Sequence, residues 1–87
     1  MSDKQKFVKE MQALLQQTDE YADIDSLDYV VEADGQEWLY VSFKGFSQKR
    51  INVNCDSKSA ILRDFLFRVD KTEWLMPSDI RQEFFTE

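Results

Sequence analysis

Asp28-Tyr-Val-Val-Glu32, Asp34-Gly35, Glu37-Trp-Leu-Tyr-Val-Ser-Phe43 and Lys49-Arg-Ile-Asn-Val-Asn-Cys55 together decide the fold of this chain. In each long run, β-branched and aromatic residues alternate with polar ones, the period of a half-buried strand. Asp34-Gly35 favours positive φ and predicts a tight two-residue hairpin turn. That turn sets Val30 opposite Leu39 and Tyr29 opposite Tyr40. A five-residue loop from Lys44 to Gln48 sets Val41 opposite Ile51 and Leu39 opposite Val53. One face of the expected sheet then carries Val30, Leu39, Val41, Phe43, Ile51, Val53 and Cys55. The other carries Tyr29, Val31, Trp38 and Tyr40 beside Ser42, Arg50, Asn52 and Asn54. A one-residue slip moves every side chain of a strand to the opposite face.

Helices flank the strands on both sides. Ser2 and Gln5 form a capping box at the first. Phe7, Met11, Leu14 and Leu15 follow as one apolar stripe, with Lys4, Lys6, Lys9, Gln12 and Gln16 on the wet side. Residues 18–27 read as an acidic linker anchored by Tyr21, Ile24 and Leu27. After the strands, Asp56 or Ser57 caps a second helix whose buried stripe is Ile61, Phe65, Leu66 and Val69. Pro77 suits the first position of a final short helix bearing Ile80, Phe84 and Phe85. Apolar helix stripes require a partner surface, and the aliphatic sheet face supplies it. The expectation is a single α+β domain over residues 1–87. It has two layers in the order αβββαα, with the middle strand central. Asp28 and Glu32 guard an edge strand against pairing with another chain.

Eighty-seven residues with twelve aromatics can close one small core. The single cysteine, Cys55, excludes an internal disulfide. The polar stretch Met1 to Lys9 has no secretion signal, and no apolar run approaches the ~20 residues that cross a bilayer. A reduced setting, the cytosol of a bacterial host, follows as the expectation. The net charge of −6 is not spread evenly. No cation lies between Lys9 and Lys44, where Glu10, Asp19, Glu20, Asp23, Asp25, Asp28, Glu32, Asp34 and Glu37 fall. Such a chain is repelled by anionic membranes and by bare nucleic acid.

The residues argue against catalysis. The chain has no histidine, the commonest general base near neutral pH and the commonest metal ligand. Cys55 reads as a buried structural thiol at a strand end. Gly35 and Gly45 are the only glycines, both turn residues, so no phosphate-binding loop can form. Asp23-Ile-Asp25-Ser-Leu27-Asp28 opens like a calcium loop. It then places Leu27 at a ligand position and Asp28 where the turn glycine belongs. The expectation is a non-enzyme with no cofactor and no metal.

Two surfaces remain as candidates. Asp19, Glu20, Asp23, Asp25, Asp28, Glu32, Asp34 and Glu37 could present one acidic surface to a basic, nucleic-acid-binding protein, in a fast and salt-sensitive association. Alternatively, Tyr29, Trp38 and Tyr40 could bind a protein or a second copy in a homodimer through the aromatic sheet face. In that case the acids serve only solubility.

The element order, length and acidity resemble small Cas9-inhibiting anti-CRISPR proteins of phages and other mobile elements. The stretch Ile51-Asn-Val-Asn-Cys-Asp-Ser-Lys-Ser-Ala-Ile-Leu-Arg-Asp64, a strand passing through Asp-Ser into a helix, is similar to short uncharacterised proteins of Gram-positive mobile elements. The resemblance implies an inhibitor whose acids mimic the DNA read by a nuclease, and it assigns no individual contact residue.

Overall fold

The computed structural model describes residues 2–69. They form α1 (Asp3–Leu15), β1 (Ile24–Val31), β2 (Glu37–Phe43), β3 (Lys49–Asn52) and α2 (Lys58–Arg68). This is an α+β fold whose antiparallel sheet has the order β1-β2-β3, with β2 in the centre. The final helix expected from Pro77, with Ile80, Phe84 and Phe85, falls outside the described residues.

Local chemistry starts both helices as expected. Ser2 Oγ accepts the Gln5 N–H at 3.2 Å and Gln5 Oε1 accepts the Ser2 N–H at 2.8 Å, so the capping box is closed. Ser57, rather than Asp56, caps α2 by accepting the Ala60 N–H.

The first hairpin departs from the expected register. Its turn holds three residues, not two: the Glu32 N–H meets the Gln36 carbonyl at 2.8 Å, and the Gly35 N–H meets the Glu32 carbonyl at 3.0 Å. Gly35, at φ +84°, supplies the left-handed residue that closes such a three-residue loop. Tyr29 therefore lies opposite Leu39, and Val30 opposite Trp38. The strand also begins earlier than expected, at Ile24, with an irregularity between Ile24 and Ser26. Burial explains the choice. The expected register points Val30 inward together with Asp28, whereas the observed one buries Ile24, Leu27 and Tyr29. Leu27 and Tyr29, which share the inward face in the observed register, outweigh one valine at ~25 cal/mol per Å² of apolar area. Tyr29 is thus a core residue, 8% exposed, and not a member of the outer face.

The second hairpin slips by two residues, so its faces survive. Leu39 lies opposite Ile51, and Val41 opposite Lys49. The loop turns earlier than expected: the Phe46 N–H reaches the Phe43 carbonyl, and Gly45 takes φ +84°. β3 ends at Asn52, although Val53 still points into the core. Cys55 is exposed in a turn at φ +61°, which corrects the expectation of a buried thiol.

One cluster joins the aliphatic sheet face to the helices: Leu39, Val41, Phe43 and Ile51 pack with Val8 and Met11 of α1 and with Ile61 and Phe65 of α2. The helical stripes differ slightly from expectation. Val8 takes the buried place in α1 and leaves Leu14 66% exposed, and Leu66 of α2 is 49% exposed. Helix side chains also blunt both sheet edges. Gln12 Oε1 accepts the Leu27 N–H at 2.9 Å, Gln16 Nε2 donates to the Ile24 carbonyl at 2.9 Å, and Lys9 pairs with Asp28 at 2.8 Å. These α1 residues are expected to be merely wet, but they satisfy backbone groups that an edge strand leaves open. On the far edge, Arg68 Nη1 donates to the Asn52 carbonyl at 2.7 Å.

Candidate binding surface

The outer sheet face is built by alternation. Trp38 and Tyr40 stand on β2 between Val30 and Asp28 of β1 and Asn52 and Arg50 of β3. Neither described helix contributes a buried side chain to it. The Arg50 guanidinium carbon lies 3.9 Å from the centroid of the Trp38 ring, a stacked cation–π contact. Arg50 Nη1 donates to Glu32 Oε1 at 3.2 Å and to the Tyr40 hydroxyl at 3.2 Å. The Tyr40 hydroxyl donates to Glu32 Oε1 at 3.0 Å. Beside them, Asn52 Nδ2 donates to Gln36 Oε1 and to the Glu37 carbonyl, both at 3.3 Å. The expected register would set Arg50 beside Ser42. The observed one sets it beside Tyr40 and diagonal to Trp38, which makes this stack possible.

The eight candidate acids do not form one surface. Three hold cations: Asp28 with Lys9, Glu32 with Arg50 and Glu37 with Lys4 at 3.2 Å. Asp34 sits in the β1–β2 turn, where its Oδ1 accepts the Gln36 N–H. Asp19, Glu20, Asp23 and Asp25 lie at the opposite end of β1, roughly 25 Å away for an eight-residue strand. Of these, Asp19, Glu20 and Asp25 are exposed. They follow the C-terminus of α1, whose last turn holds no basic residue. A helix C-terminus is itself a partial negative charge, and Lys44, whose N–H meets the Asp23 carbonyl at 3.0 Å, brings a cation to the same end.

Glu37 does different work. Its Oε1 accepts from the Tyr29 hydroxyl in a short hydrogen bond and from Lys4, and its Oε2 accepts the Cys55 N–H at 2.9 Å. The Tyr29 bond, with the Cys55 and Lys4 contacts, holds the Glu37 carboxyl down at about 2. Burial, reinforced by the carboxylate it faces, pushes the Tyr29 phenol up to about 12. This knot joins α1, β1, β2 and the turn before α2, and it fixes the positive-φ turn at Cys55. The outward candidates Tyr29 and Glu37 are therefore structural neighbours, a pairing visible in the sequence only once the register is known.

Asp56 is held above the usual carboxylate range, first by a hydrogen bond shared with Asp64 and then by burial. Among the described residues no three His, Cys, Asp or Glu side chains converge as metal ligands would. No described helix is long and apolar enough to cross a membrane.

These features define a small α+β domain with a pre-ordered aromatic sheet face on which an ion-paired arginine is stacked. Comparison with protein-family models, curated proteins and solved structures finds no match to this chain.

Proposed function

We propose that this is a non-catalytic binding protein of a bacterial host cytosol, and that it docks a protein partner on the outer face of its sheet. In this reading the domain has two layers in the order αβββαα, which leaves that face free for the partner. The observation that carries the reading is the Trp38–Arg50 stack braced by Tyr40 and Glu32. Trp, Tyr and Arg supply most interface hot spots. Side chains already held in place lose little freedom on binding. The face is also nearly neutral, because its carboxylates are paired, so a net charge of −6 does not repel a partner there. Size sets the mode. Three strands ~4.8 Å apart offer only a few hundred Å², below the ~800 Å² per partner of a stable interface. The face acts as an anchor for a transient complex or as one part of a larger contact, and a homodimer built on it alone is weak.

A second reading rests on the exposed Asp19 and Asp25 near the C-terminus of α1, whose last turn holds no basic residue. This reduced acidic patch would engage a basic, nucleic-acid-binding protein, the role implied by the resemblance to anti-CRISPR inhibitors. Quantitative capture of partners by the full chain at low and high salt separates the two. Loss of a partner in Trp38→Ala and Arg50→Ala, with retention in Asp19→Asn/Asp25→Asn and at high salt, supports the sheet face. The reverse pattern assigns the function to the acidic end.

A further inference from the structure

On the outer sheet face, one side of the Arg50 guanidinium is still unmet. Its carbon lies 3.9 Å from the Trp38 ring centroid, so the indole covers the other side. Its Nη1 edge donates to Glu32 Oε1 and to the Tyr40 hydroxyl, both at 3.2 Å. The side chain nevertheless stays 46% exposed. An arriving molecule therefore meets the second side of a flat cation that three neighbours hold in place. We infer that a protein partner lays an aromatic side chain on that side, so that the guanidinium sits between two rings. The inference rests on the reading of the outer sheet face as the docking surface.

Shape and charge select a ring. A guanidinium carries its N–H donors in its plane and is weakly hydrated above and below it, so its edges suit carboxylates and its faces suit rings. Here the Nη1 edge is engaged and one face is open. Around Trp38 the charged residues are Asp28, Glu32, Asp34 and Arg50. Arg50 holds Glu32, and Lys9 holds Asp28. Asp34 accepts the Gln36 N–H within the turn, and Glu37 faces inward to Tyr29 and Lys4. A partner carboxylate would bring a second negative charge to a cation that Glu32 already holds, and a partner cation would be repelled by Arg50. A neutral ring turns the negative side of its quadrupole to the cation and adds no net charge. A second copy is a poorer source, because its Trp38 already lies against its own Arg50 and a net charge of −6 meets another −6. A nucleobase offers a ring but brings phosphate to the same negative chain.

The Arg50 Nε–H resonance of the full chain reads this directly by side-chain NMR. Millimolar N-acetyl-tryptophanamide is expected to move it upfield by ring current, in a saturable titration. N-acetyl-leucinamide and adenosine monophosphate are expected to leave it in place. No shift with the tryptophan amide overturns the inference, as does an equal shift with the leucine amide. A larger shift with the nucleotide overturns it in favour of a nucleobase. An upfield shift on concentrating the chain without a probe overturns it in favour of a second copy. Arg50→Lys keeps the cation and removes the plane, and is expected to lose the partner that the parent chain captures. Retention in Arg50→Lys overturns the stack and leaves the docking face standing, whereas retention in Trp38→Ala removes the docking face itself.

Discussion

One residue apart along β2, neighbouring side chains serve opposite faces of the sheet. Leu39 and Val41 are fully buried against both helices, while Trp38 and Tyr40 stand on the outer face beside an arginine. The inner face is held by area removed from water, which has no direction and tolerates few losses. The outer face is held by geometry: a ring, a guanidinium, a phenol and a carboxylate in fixed positions. Such contacts contribute little to folding, since exposed ion pairs and cation–π contacts are worth at most ~1 kcal/mol. The contrast teaches that order on the outer face is not required by the fold, which is why we assign it to recognition.

Stability measurements across the two faces should separate by several-fold. Leu39→Ala is expected to cost about 2–5 kcal/mol by leaving a cavity in the core, a large part of the ~5–15 kcal/mol that a domain has in total. Chemical denaturation reads this, and a cost below 1 kcal/mol would show that the inner face is not the core.

Glu37→Gln comes next. It strips the charge from bonds to Tyr29, Lys4 and the Cys55 amide, at roughly 2 kcal/mol. The same variant tests a pH window. The Glu37 carboxyl is depressed in the folded state, so its contribution is present above its ordinary value of 4.5 and is lost as pH falls toward about 2. The Tyr29 phenol is raised, so its contribution is present below 10.0 and is lost as pH rises toward about 12. Acid unfolding of Glu37→Gln should lack the first slope, and alkaline unfolding of Tyr29→Phe the second. Slopes unchanged in both would dismantle the knot.

Gly35→Ala probes the turn that decides which residues of β1 reach each face. Space is open around it, so the cost is the left-handed backbone alone, ~1 kcal/mol. A slipped register in the variant would appear as new Val30 contacts with Leu39. Trp38→Ala should cost about 1 kcal/mol or less in stability while removing partner binding. Binding that survives it moves the site elsewhere. The smallest effect belongs to Asp25→Asn, within ~0.5 kcal/mol of the parent by thermal melting, with partner affinity unchanged if the sheet face is the site.

Much of this was legible in the chain. Period-two alternation placed β2 and β3 on the correct faces, because inward and outward residues differ in kind at every step. The Ser2–Gln5 box and the Tyr21, Ile24 and Leu27 anchors were readable from residue type and spacing. β1 was not, since Tyr29-Val30-Val31 offers apolar residues on both faces and the turn motif admits a two- or three-residue loop. The acidic block was visible as a run of letters. Which of its carboxylates meet Lys4, Lys9 or Arg50 depended on cations brought from α1 and β3.

The sequence by itself determined an α+β chain, the starts of α1 and α2, the central place of β2 and the concentration of acids before Lys44. Only the tertiary structure decided that Tyr29 turns inward, that Arg50 lies over Trp38, and that three of the eight acids are matched by Lys4, Lys9 and Arg50. The reason is physical. Periodicity and capping act over a few neighbouring residues, whereas register and ion pairing depend on which long-range arrangement buries the most apolar area. A loop longer by one residue is enough to exchange the two faces of a strand.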